Sequence, residues 1–563
     1  MSNTTYSSLD ETRRILDFVL SHVSLPLDAE HIRKNVTFTA ARNYPYFPIP
    51  FKEMEVTAAL KAIEGSLGAA LADLRKPSEE TRHVTVNLEK TTAFLFQAYL
   101  ATVGGLGKLD PQVKTLLKDT DLLQAQSNPY RRMSANLYET KRPGEYYHIH
   151  GSLEASTTLQ MLGLEPFRPD LVDHNAIVDT IESKVKLHTI EELEELNLQN
   201  RQAGIPALKH EEFLRTQHGK TNINLPPWSV DNIEATTPPF AMPKLGDNRR
   251  PLAGIKVLEL CRIIAGPVMG RILAEYGADV LKITSPNLSD VPFFQVDGNM
   301  GKHAAELDLK SPAGREIFEA LIEDADVILD GYRPGALAKL GYSPESFAER
   351  AQKRGKGFVY VNENCFGYEG EWAQRPGWQQ IADCVTGVAW EQGRFMGLNE
   401  PVVPPFPISD YGTGCMGAIA ALTGLYHRAT RGGSWHGKAS LMHYDLLLFK
   451  VGQYPEAVQS TLRETAGKEL LLLRHSHSVD QISGTALRQM RKIFPDLFNM
   501  HKVGEEWYSD AYKANVAVVS PVVQIDGVKL GFSRASRPNG TDKPTWDFSY
   551  DKDSLKNGVT NGA

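Results

Sequence analysis

Asp410 has neighbours that could support nucleophilic chemistry by a carboxylate. It lies in the segment ISDYGTG, at the mouth of a long helix predicted from the small residues that follow, and Gly412 and Gly414 come shortly after it. A carboxylate there faces free backbone N–H groups and the positive end of the helix dipole, which favour its ionised form. The residues alone also fit a plain helix N-cap, so the pattern leaves both interpretations open.

A second candidate for ligand binding is the turn CRIIAGP at residues 261–267. It follows the β-prone run GIKVLEL and precedes VMGRILAEYG, which has helical periodicity, and the apolar run ADVLKI. This order predicts a βαβ unit with parallel buried strands, Pro267 as the first helical residue and Gly277 as the cap. Ligands of such sheets bind at the carboxyl ends of the strands. Because GxGxxG is missing from the turn, we expect no nicotinamide or flavin dinucleotide.

The composition excludes several classes of partner. The chain has 563 residues and a net charge of −7 with both signs interspersed, so neither nucleic acid nor a membrane is an expected partner. No apolar run approaches membrane-spanning length and we identify no targeting segment, which favours a cytoplasmic location and small organic substrates. Four cysteines without metal spacing predict reduced, buried thiols: Cys261, Cys365, Cys384 and Cys415.

His148 and His150 alternate on the predicted strand EYYHIHGS. Such a pair can bind a metal ion, but the sequence offers no third ligand nearby. We therefore expect both histidines to be solvent-facing strand residues, and we predict no metal site.

The length predicts two or three lobes. Between residues 254 and 367, apolar runs of strand length alternate with amphipathic helices, which predicts an α/β lobe around a parallel sheet. Ser311 is expected to cap one of these helices, with Pro312 as its first residue. The proline-rich segment 225–243 is the clearest linker, and the last residues, DKDSLKNGVTNGA, are predicted to be mobile.

A weak internal repeat of a helix followed by a strand indicates duplication. The segment PIPFKEMEVTAALKAIEGSLGAALADLR at Pro48 aligns with PFPISDYGTGCMGAIAALTGLYHR at Pro405. Likewise, HVTVNLEKTTAFLF at His83 aligns with GKASLMHYDLLLF at Gly437.

Several motifs, taken in order, resemble the class III coenzyme A transferases, the CaiB/BaiF family that includes formyl-CoA transferase and carnitine CoA-transferase. They lie between residues 250 and 450 and are PLAGIKVLEL, the AGP turn, LAEYGADVLKI, ELDLKSPAGRE, ADVILDGYRPGALAKLGY, NCFGYEG and ISDYGTG. The resemblance implies an α/β fold: a Rossmann-like parallel-sheet lobe with a smaller α+β domain, in the interlocked architecture of that family.

The resemblance also implies an unusual domain order, in which Glu53 falls at the place of the duplicated copy's aspartate. An intramolecular pseudo-dimer or a homodimer is expected, similar to fungal family members, some of which act in secondary-metabolite pathways. The implied units are a degenerate trailing half-copy at 1–224 with its small domain at 140–220, a linker at 225–247, a CoA-binding catalytic lobe at 248–450 and a returning C-terminal segment at 451–563.

In this family an aspartate attacks the acyl-CoA thioester to give a mixed anhydride and CoA thiolate, and an acceptor carboxylate then takes the acyl group or the CoA. By position the nucleophile is Asp410, with N–H groups at Gly412 and Gly414 stabilising the oxyanion. The resemblance thus implies a CoA-transferase whose substrates are an acyl-CoA and a carboxylic acid, with no permanently bound cofactor. The candidate CoA-binding residues are Arg262, Ile263, Ala265, Leu307, Lys310, Tyr332, Lys339, Leu340 and Trp378.

Three positions depart from the family pattern. Gln379 stands where relatives carry an acid, and Ser285 stands where formyl-CoA transferase has an arginine. Trp378 stands where the related α-methylacyl-CoA racemases have their histidine base, and tryptophan cannot transfer the α-proton that racemisation requires. This favours transfer, and it leaves two alternatives open: an acyl-CoA racemase or isomerase on the same fold, and a degenerate CoA-binding scaffold.

Overall fold

The computed structural model describes residues 6–244 and 248–551. The apolar runs of the predicted βαβ units form buried strands, because helices cover both faces of the sheet that they build. This confirms the expected α/β fold class. The strands of this central sheet are, in chain order, β1 (Trp228–Glu234), β2 (Lys256–Leu260), β3 (Asp279–Thr284), β4 (His303–Glu306), β5 (Val327–Asp330), β6 (Val359–Asn364) and β7 (Ser434–Ser440).

The spatial order of the central sheet is β4-β3-β2-β5-β6-β7-β1. Every neighbouring pair is parallel except β7 and β1, which are antiparallel. The chain runs outward from β2 to β4 and then crosses over to β5 on the other side of β2. The carboxyl ends of β2 and β5 therefore form the topological switch point, where a ligand crevice is expected.

Four helices position the residues around this crevice: α1 (Glu53–Arg75), α2 (Ala265–Glu275), α3 (Ile408–Arg431) and α4 (Leu441–Val451). Helix α2 begins earlier than predicted, so that Pro267 lies within its first turn, and Gly277 follows its end at φ 100°. Ser311 accepts the N–H of Gly314, as its predicted capping role requires. Other helices are Ser8–His22, His174–Val185, Ile190–Asn200, Pro312–Asp324, Pro344–Arg354, Gln379–Thr386, Val388–Phe395, Glu456–Leu471 and Val479–Ile493.

The repeated segments form the same succession of elements. Helix α1 leads into the strand Val84–Asn87 and the helix Leu88–Phe94, as α3 leads into β7 and α4. The strand Val84–Asn87 lies between Val36–Thr39 and Val523–Ile525 in a separate small sheet. Helices α1 and α3 pack against each other in one hydrophobic core, so the two segments share an interior.

The region predicted as a small domain has a core of its own. Its antiparallel sheet consists of Ala135–Glu139, Tyr146–His150 and Ile205–Pro206, so it begins before residue 140. The helices His174–Val185 and Ile190–Asn200 pack against this sheet through buried apolar residues.

The proposed linker at 225–247 requires a correction, because it contains β1. This strand pairs with β7 and completes the edge of the central sheet. Alternating apolar and polar residues in WSVDNIE suit such an edge strand, and the flanking prolines concealed this pattern. Residues 245–247 of the linker, and the predicted mobile tail beyond Asp551, lie outside the described residues.

The C-terminal segment returns to the lobe that contains the central sheet. Trp546 and Phe548 pack against the apolar cluster on one face of the sheet, and the Trp546 Nε1–H donates to the carbonyl of Leu321 at 3.0 Å. The four cysteines are buried, as expected, and none of them is in a disulfide.

Candidate active site

A cavity of about 180 Å³ opens at the switch point of the central sheet. Arg262, Ile263 and Ala265 line it after β2, and Tyr332 lines it after β5. Asp410, in the first turn of α3, also faces this cavity. The residues predicted from two separate motifs are thus brought together at the carboxyl ends of neighbouring parallel strands.

Two residues with left-handed backbone conformation precede the helices at this cavity. Ile263 has φ 72° and Phe406 has φ 66°. For residues of this bulk such a conformation costs about 1–3 kcal/mol and is often found at functional sites. The turn after Ile263 places the backbone N–H of Ala265 near Asp410, where it lowers the pKa of that carboxyl group.

Asp410 is the third residue of α3 and is partly exposed to the cavity. Burial raises its pKa well above the ordinary value, and the carboxyl groups of Glu363 and Asp383 raise it further when they are ionised, while the Ala265 N–H opposes them. The expectation that the helix end favours the ionised form is therefore wrong, because burial outweighs the helix dipole.

Glu363 is a functional candidate that the sequence analysis missed. It lies near the carboxyl end of β6 and lines the cavity together with Asp410. Burial and the charge of Asp330 raise the pKa of Glu363 to about 8, so its carboxyl group keeps a proton at neutral pH. The available signal was its place at the end of a parallel strand in the segment VNENC.

A pair of buried aspartates lies around the start of α3. Ser409 Oγ is 3.0 Å from Asp383 Oδ1 and 2.9 Å from Asp445 Oδ1. For both contacts to be hydrogen bonds, one carboxyl group must carry a proton, since the hydroxyl has a single proton to donate. Burial raises the pKa of both aspartates. Gln379, which stands where relatives carry an acid, donates a hydrogen bond from Nε2 to Asp383 and so contacts this pair.

Gly412 and Gly414 do not have the expected position. Both lie within α3, beyond the first-turn residues whose N–H groups are unpaired, and neither lines the cavity. A Cβ atom at Gly412 would lie 2.0 Å from the Tyr444 ring, and one at Gly414 would lie 2.5 Å from Val268. These glycines are needed for close packing rather than as oxyanion donors.

The predicted CoA-binding residues separate into two groups. Arg262, Ile263, Ala265, Tyr332 and Trp378 line the cavity. The other four are outside its lining: Leu307 is buried, Lys310 and Lys339 are exposed, and Leu340 is half-buried. A smaller cavity of about 120 Å³ adjoins Arg262 and is lined by Ser285, the position that departs from formyl-CoA transferase.

The prediction that His148 and His150 face solvent is wrong. Both side chains are buried between the small-domain sheet and neighbouring segments, a tertiary contact that strand alternation does not reveal. His150 lines the cavity and stacks on Trp378, with ring centroids 5.3 Å apart and planes 2° from parallel. Trp378 also donates from Nε1 to Ser152 at 2.9 Å, so the small domain forms one wall of the site.

Comparisons with known proteins identify the family of this chain. The model of CoA-transferase family III matches residues 252–468. The chain is also 32% identical over 562 residues to acetyl-coenzyme A transferase nodX of Hypoxylon pulicicidum, covering 96% of this chain and 94% of that protein. The chain belongs to CoA-transferase family III. An acyl-CoA transferase of Gibberella moniliformis, also similar to this family III chain, is 36% identical over 410 residues and 71% of each protein.

Among solved structures, a CAIB/BAIF family protein from Brucella suis is similar to this family III CoA-transferase. The match has a TM-score of 0.37 and 20% identity, and it covers 52% of this chain and 97% of the other. Within residues 6–244 and 248–551, the family III chain has no helix that is both long and apolar enough to cross a membrane.

Proposed function

We propose that this CoA-transferase moves CoA between an acyl-CoA and a carboxylic acid, with Asp410 as the covalent nucleophile. The observation that supports this most directly is the place of Asp410: its carboxyl group faces the cavity at the switch point, and the nearby Ala265 N–H favours its ionised form. A carboxylate in a partly water-excluded crevice is a suitable nucleophile towards a thioester.

The proposed chemistry balances without a further reactant. An Asp410 oxygen forms a bond to the thioester carbonyl carbon, the C–S bond breaks, and CoA leaves as a thiolate while a mixed anhydride forms. The thiolate then attacks the aspartyl carbonyl, which releases the donor acid and leaves an aspartyl-CoA thioester. The acceptor carboxylate follows the same steps in reverse and regenerates the Asp410 carboxylate.

Glu363 has a defined part in this proposal. Its raised pKa of about 8 keeps it neutral at neutral pH, so Asp410 can lose its proton without a second full charge beside it. A neutral carboxyl group can also donate a hydrogen bond to the thioester oxygen, where negative charge develops during attack.

Arg262 is the cation best placed for a phosphate of CoA. Its Nη1–H donates to the Ser289 carbonyl at 2.8 Å, and its guanidinium lies 5.7 Å from the Tyr332 ring centre, which fixes its direction. The planar guanidinium can bind a phosphate through two donors. The roles of Lys310 and Lys339, which lie outside the cavity lining, stay predictions of the family resemblance.

Trapping of the acyl-enzyme tests the proposal. The protein is incubated with a panel of acyl-CoA thioesters, quenched with hydroxylamine and examined by peptide mass spectrometry for a hydroxamate at Asp410. Acetyl-CoA belongs in the panel because one relative is named an acetyl-coenzyme A transferase. A metabolite acid as acceptor, and hence a role in secondary metabolism, stays a prediction for the same panel to test.

The expected result is a hydroxamate at Asp410 that depends on acyl-CoA and disappears in Asp410→Asn. Retention on CoA-agarose without hydroxamate or turnover would instead identify a CoA-binding scaffold. Deuterium uptake at the α-carbon without exchange of the acyl group would identify a racemase or isomerase.

A further inference from the structure

One wall of the cavity is built by segments that lie outside the central sheet. Tyr99 and Lys108 come from the N-terminal part of the chain, and Arg132 comes from the segment just before the small-domain sheet. Asp480, in the first turn of the helix Val479–Ile493, completes this wall. We call Lys108, Arg132 and Asp480 the cationic wall.

The cationic wall has more positive than negative charge. Lys108 Nζ is 2.5 Å from Asp480 Oδ1, and Arg132 Nη2 is 3.5 Å from Asp480 Oδ2. The Lys108 and Arg132 side chains are only 13% and 17% exposed, so water screens their charges weakly. Arg132 Nε is buried and has no hydrogen-bond partner among residues 6–244 and 248–551. The single carboxylate of Asp480 thus faces two cations, and the Arg132 Nε–H is available to donate to a ligand.

The charges of this wall persist at neutral pH. Although burial acts in the opposite direction, Lys108 and Arg132 hold the pKa of Asp480 well below its ordinary value, and Asp480 raises the pKa of Lys108. Burial, together with the charges of His148 and Arg132, lowers the pKa of His150 well below its usual range. The neighbouring histidine is therefore neutral and does not alter the balance of charge.

The surroundings of Lys108 suit an organic anion. Its ammonium lies 5.0 Å from the Tyr99 ring centre and 5.5 Å from the Phe294 ring centre, and both rings line the cavity. Apolar rings beside a fixed cation can hold the hydrocarbon part and the carboxylate of one ligand. Lys108 and Arg132 form ion pairs with Asp480, and neither is paired with Asp410 among the described residues, so the cationic wall and the reacting carboxylate are separate groups in one cavity.

We infer that Lys108 and Arg132 bind a second anionic group, a carboxylate, of the acid substrate while its reacting carboxylate meets Asp410. This inference rests on the proposed CoA transfer and adds a substrate class to it. The preferred acids are dicarboxylic, or carry an equivalent anion, and the apolar rings cover the chain between the two ends.

Matched acids of equal length test this inference. Transfer from saturating acyl-CoA to adipate and to hexanoate is compared in the parent, Lys108→Met, Asp480→Asn and the exposed control Lys220→Met. We expect the parent and the control to prefer adipate by about tenfold or more in kcat/KM, the range for a hydrogen bond to a charged group. Lys108→Met should lose this preference, and Asp480→Asn should increase it, because it removes the opposing charge.

Two further measurements separate this inference from the proposed function. Hydroxamate formation from acyl-CoA alone reports on Asp410, and calorimetry of adipate with the free protein reports on the cationic wall. If the hydroxamate forms at Asp410 but the parent uses adipate and hexanoate equally well, the role of the cationic wall is overturned and the proposed CoA transfer stands. If the parent binds adipate and Lys108→Met binds it more weakly, the role of the cationic wall is supported even when no hydroxamate is trapped at Asp410. If Lys108→Met and Asp480→Asn both use adipate less well than the parent, these residues have a structural role and the inference is overturned. A loss of affinity for free CoA alone would also overturn it.

Discussion

At the level of single residues, the site contains several neighbouring carboxyl groups, and the protonation of each depends on the others. Asp410 shares its surroundings with Glu363 and Asp383, and each of them raises its pKa. Such groups titrate together, so the charge on the nucleophile depends on where its neighbours keep their protons. The reactivity of Asp410 is thus a property of the cluster.

Asp410→Asn should fold like the parent and lose transfer. The amide has the same shape and removes a charge that burial disfavours, so we expect a melting temperature no lower than that of the parent. Because an amide cannot attack the thioester, turnover should fall by on the order of a thousandfold or more. Asp179→Asn, at an exposed position, is the matched control and should behave like the parent. Turnover of Asp410→Asn within tenfold of the parent would remove Asp410 from the mechanism.

The proton on Glu363 predicts a loss of activity at alkaline pH. Since the pKa of Glu363 is about 8, it is neutral below that pH and negative above it. A negative Glu363 cannot donate to the thioester oxygen and further disfavours the ionised form of Asp410, so kcat should fall as pH rises through this value. Glu363→Gln keeps a neutral hydrogen-bond donor and should lose this alkaline decline. Rates measured from neutral to mildly alkaline pH test both statements. The same decline in parent and variant would exclude Glu363 as its cause.

At the level of elements, α3 holds Asp410 in place through close packing. Gly412→Ala would place a Cβ atom 2.0 Å from the Tyr444 ring of α4. Alanine gains up to about 1 kcal/mol in helix propensity, but overpacking typically costs about 1–3 kcal/mol, so we expect net destabilisation and slower transfer. Gly298→Ala is the control, because its Cβ would meet Pro267 at an ordinary 3.5 Å. Equal urea midpoints for the Gly412 variant and the parent would contradict this account.

The repeated helix α1 has no open counterpart of the Asp410 site. Sequence alignment places Glu53 at the position of Asp410, whereas counting from the helix start places Glu55 there. Glu53 accepts the Tyr444 hydroxyl at 2.7 Å, and Glu55 accepts those of Tyr454 at 2.7 Å and Ser8 at 2.8 Å. Both carboxyl groups are buried, so neither of them faces a cavity that could take a thioester.

At the level of the whole molecule, the two parts of the chain cover each other's apolar surface. Helices α1 and α3 share one core, and polar contacts such as Ala98 N–H to the Tyr411 hydroxyl at 3.2 Å also join the parts. An intramolecular pseudo-dimer remains our proposal for this arrangement. Light scattering of the intact chain distinguishes it from a homodimer.

Separate expression of the two parts tests this interdependence. We expect fragments 1–224 and 225–563 to be insoluble or molten alone, because each would expose the surface that the other covers. Co-expression should restore a compact complex that binds CoA. The cut precedes β1, since that strand belongs to the sheet of the second fragment. A second fragment that unfolds cooperatively and binds CoA unaided would refute the dependence.

Local patterns in the sequence were sufficient for several elements of the central sheet and for the family. Strand and helix periodicity predicted the βαβ unit at β2, and the Ser-Pro pair predicted the helix Pro312–Asp324 with its cap. The spacing of the motifs pointed to Asp410. Such features depend on residues that are close in the chain, so the sequence displays them directly.

Only the tertiary structure decided the composition of the site. Glu363 and Asp383 act on Asp410, His150 stacks on Trp378, and the cationic wall joins residues from three distant segments. The tertiary structure also showed that the predicted proline-rich linker contains a sheet strand and that Gly412 is needed for close packing. The physical reason is common to these cases: burial and Coulomb interactions depend on distance in space, and periodicity along the chain does not specify which remote charges share a cavity.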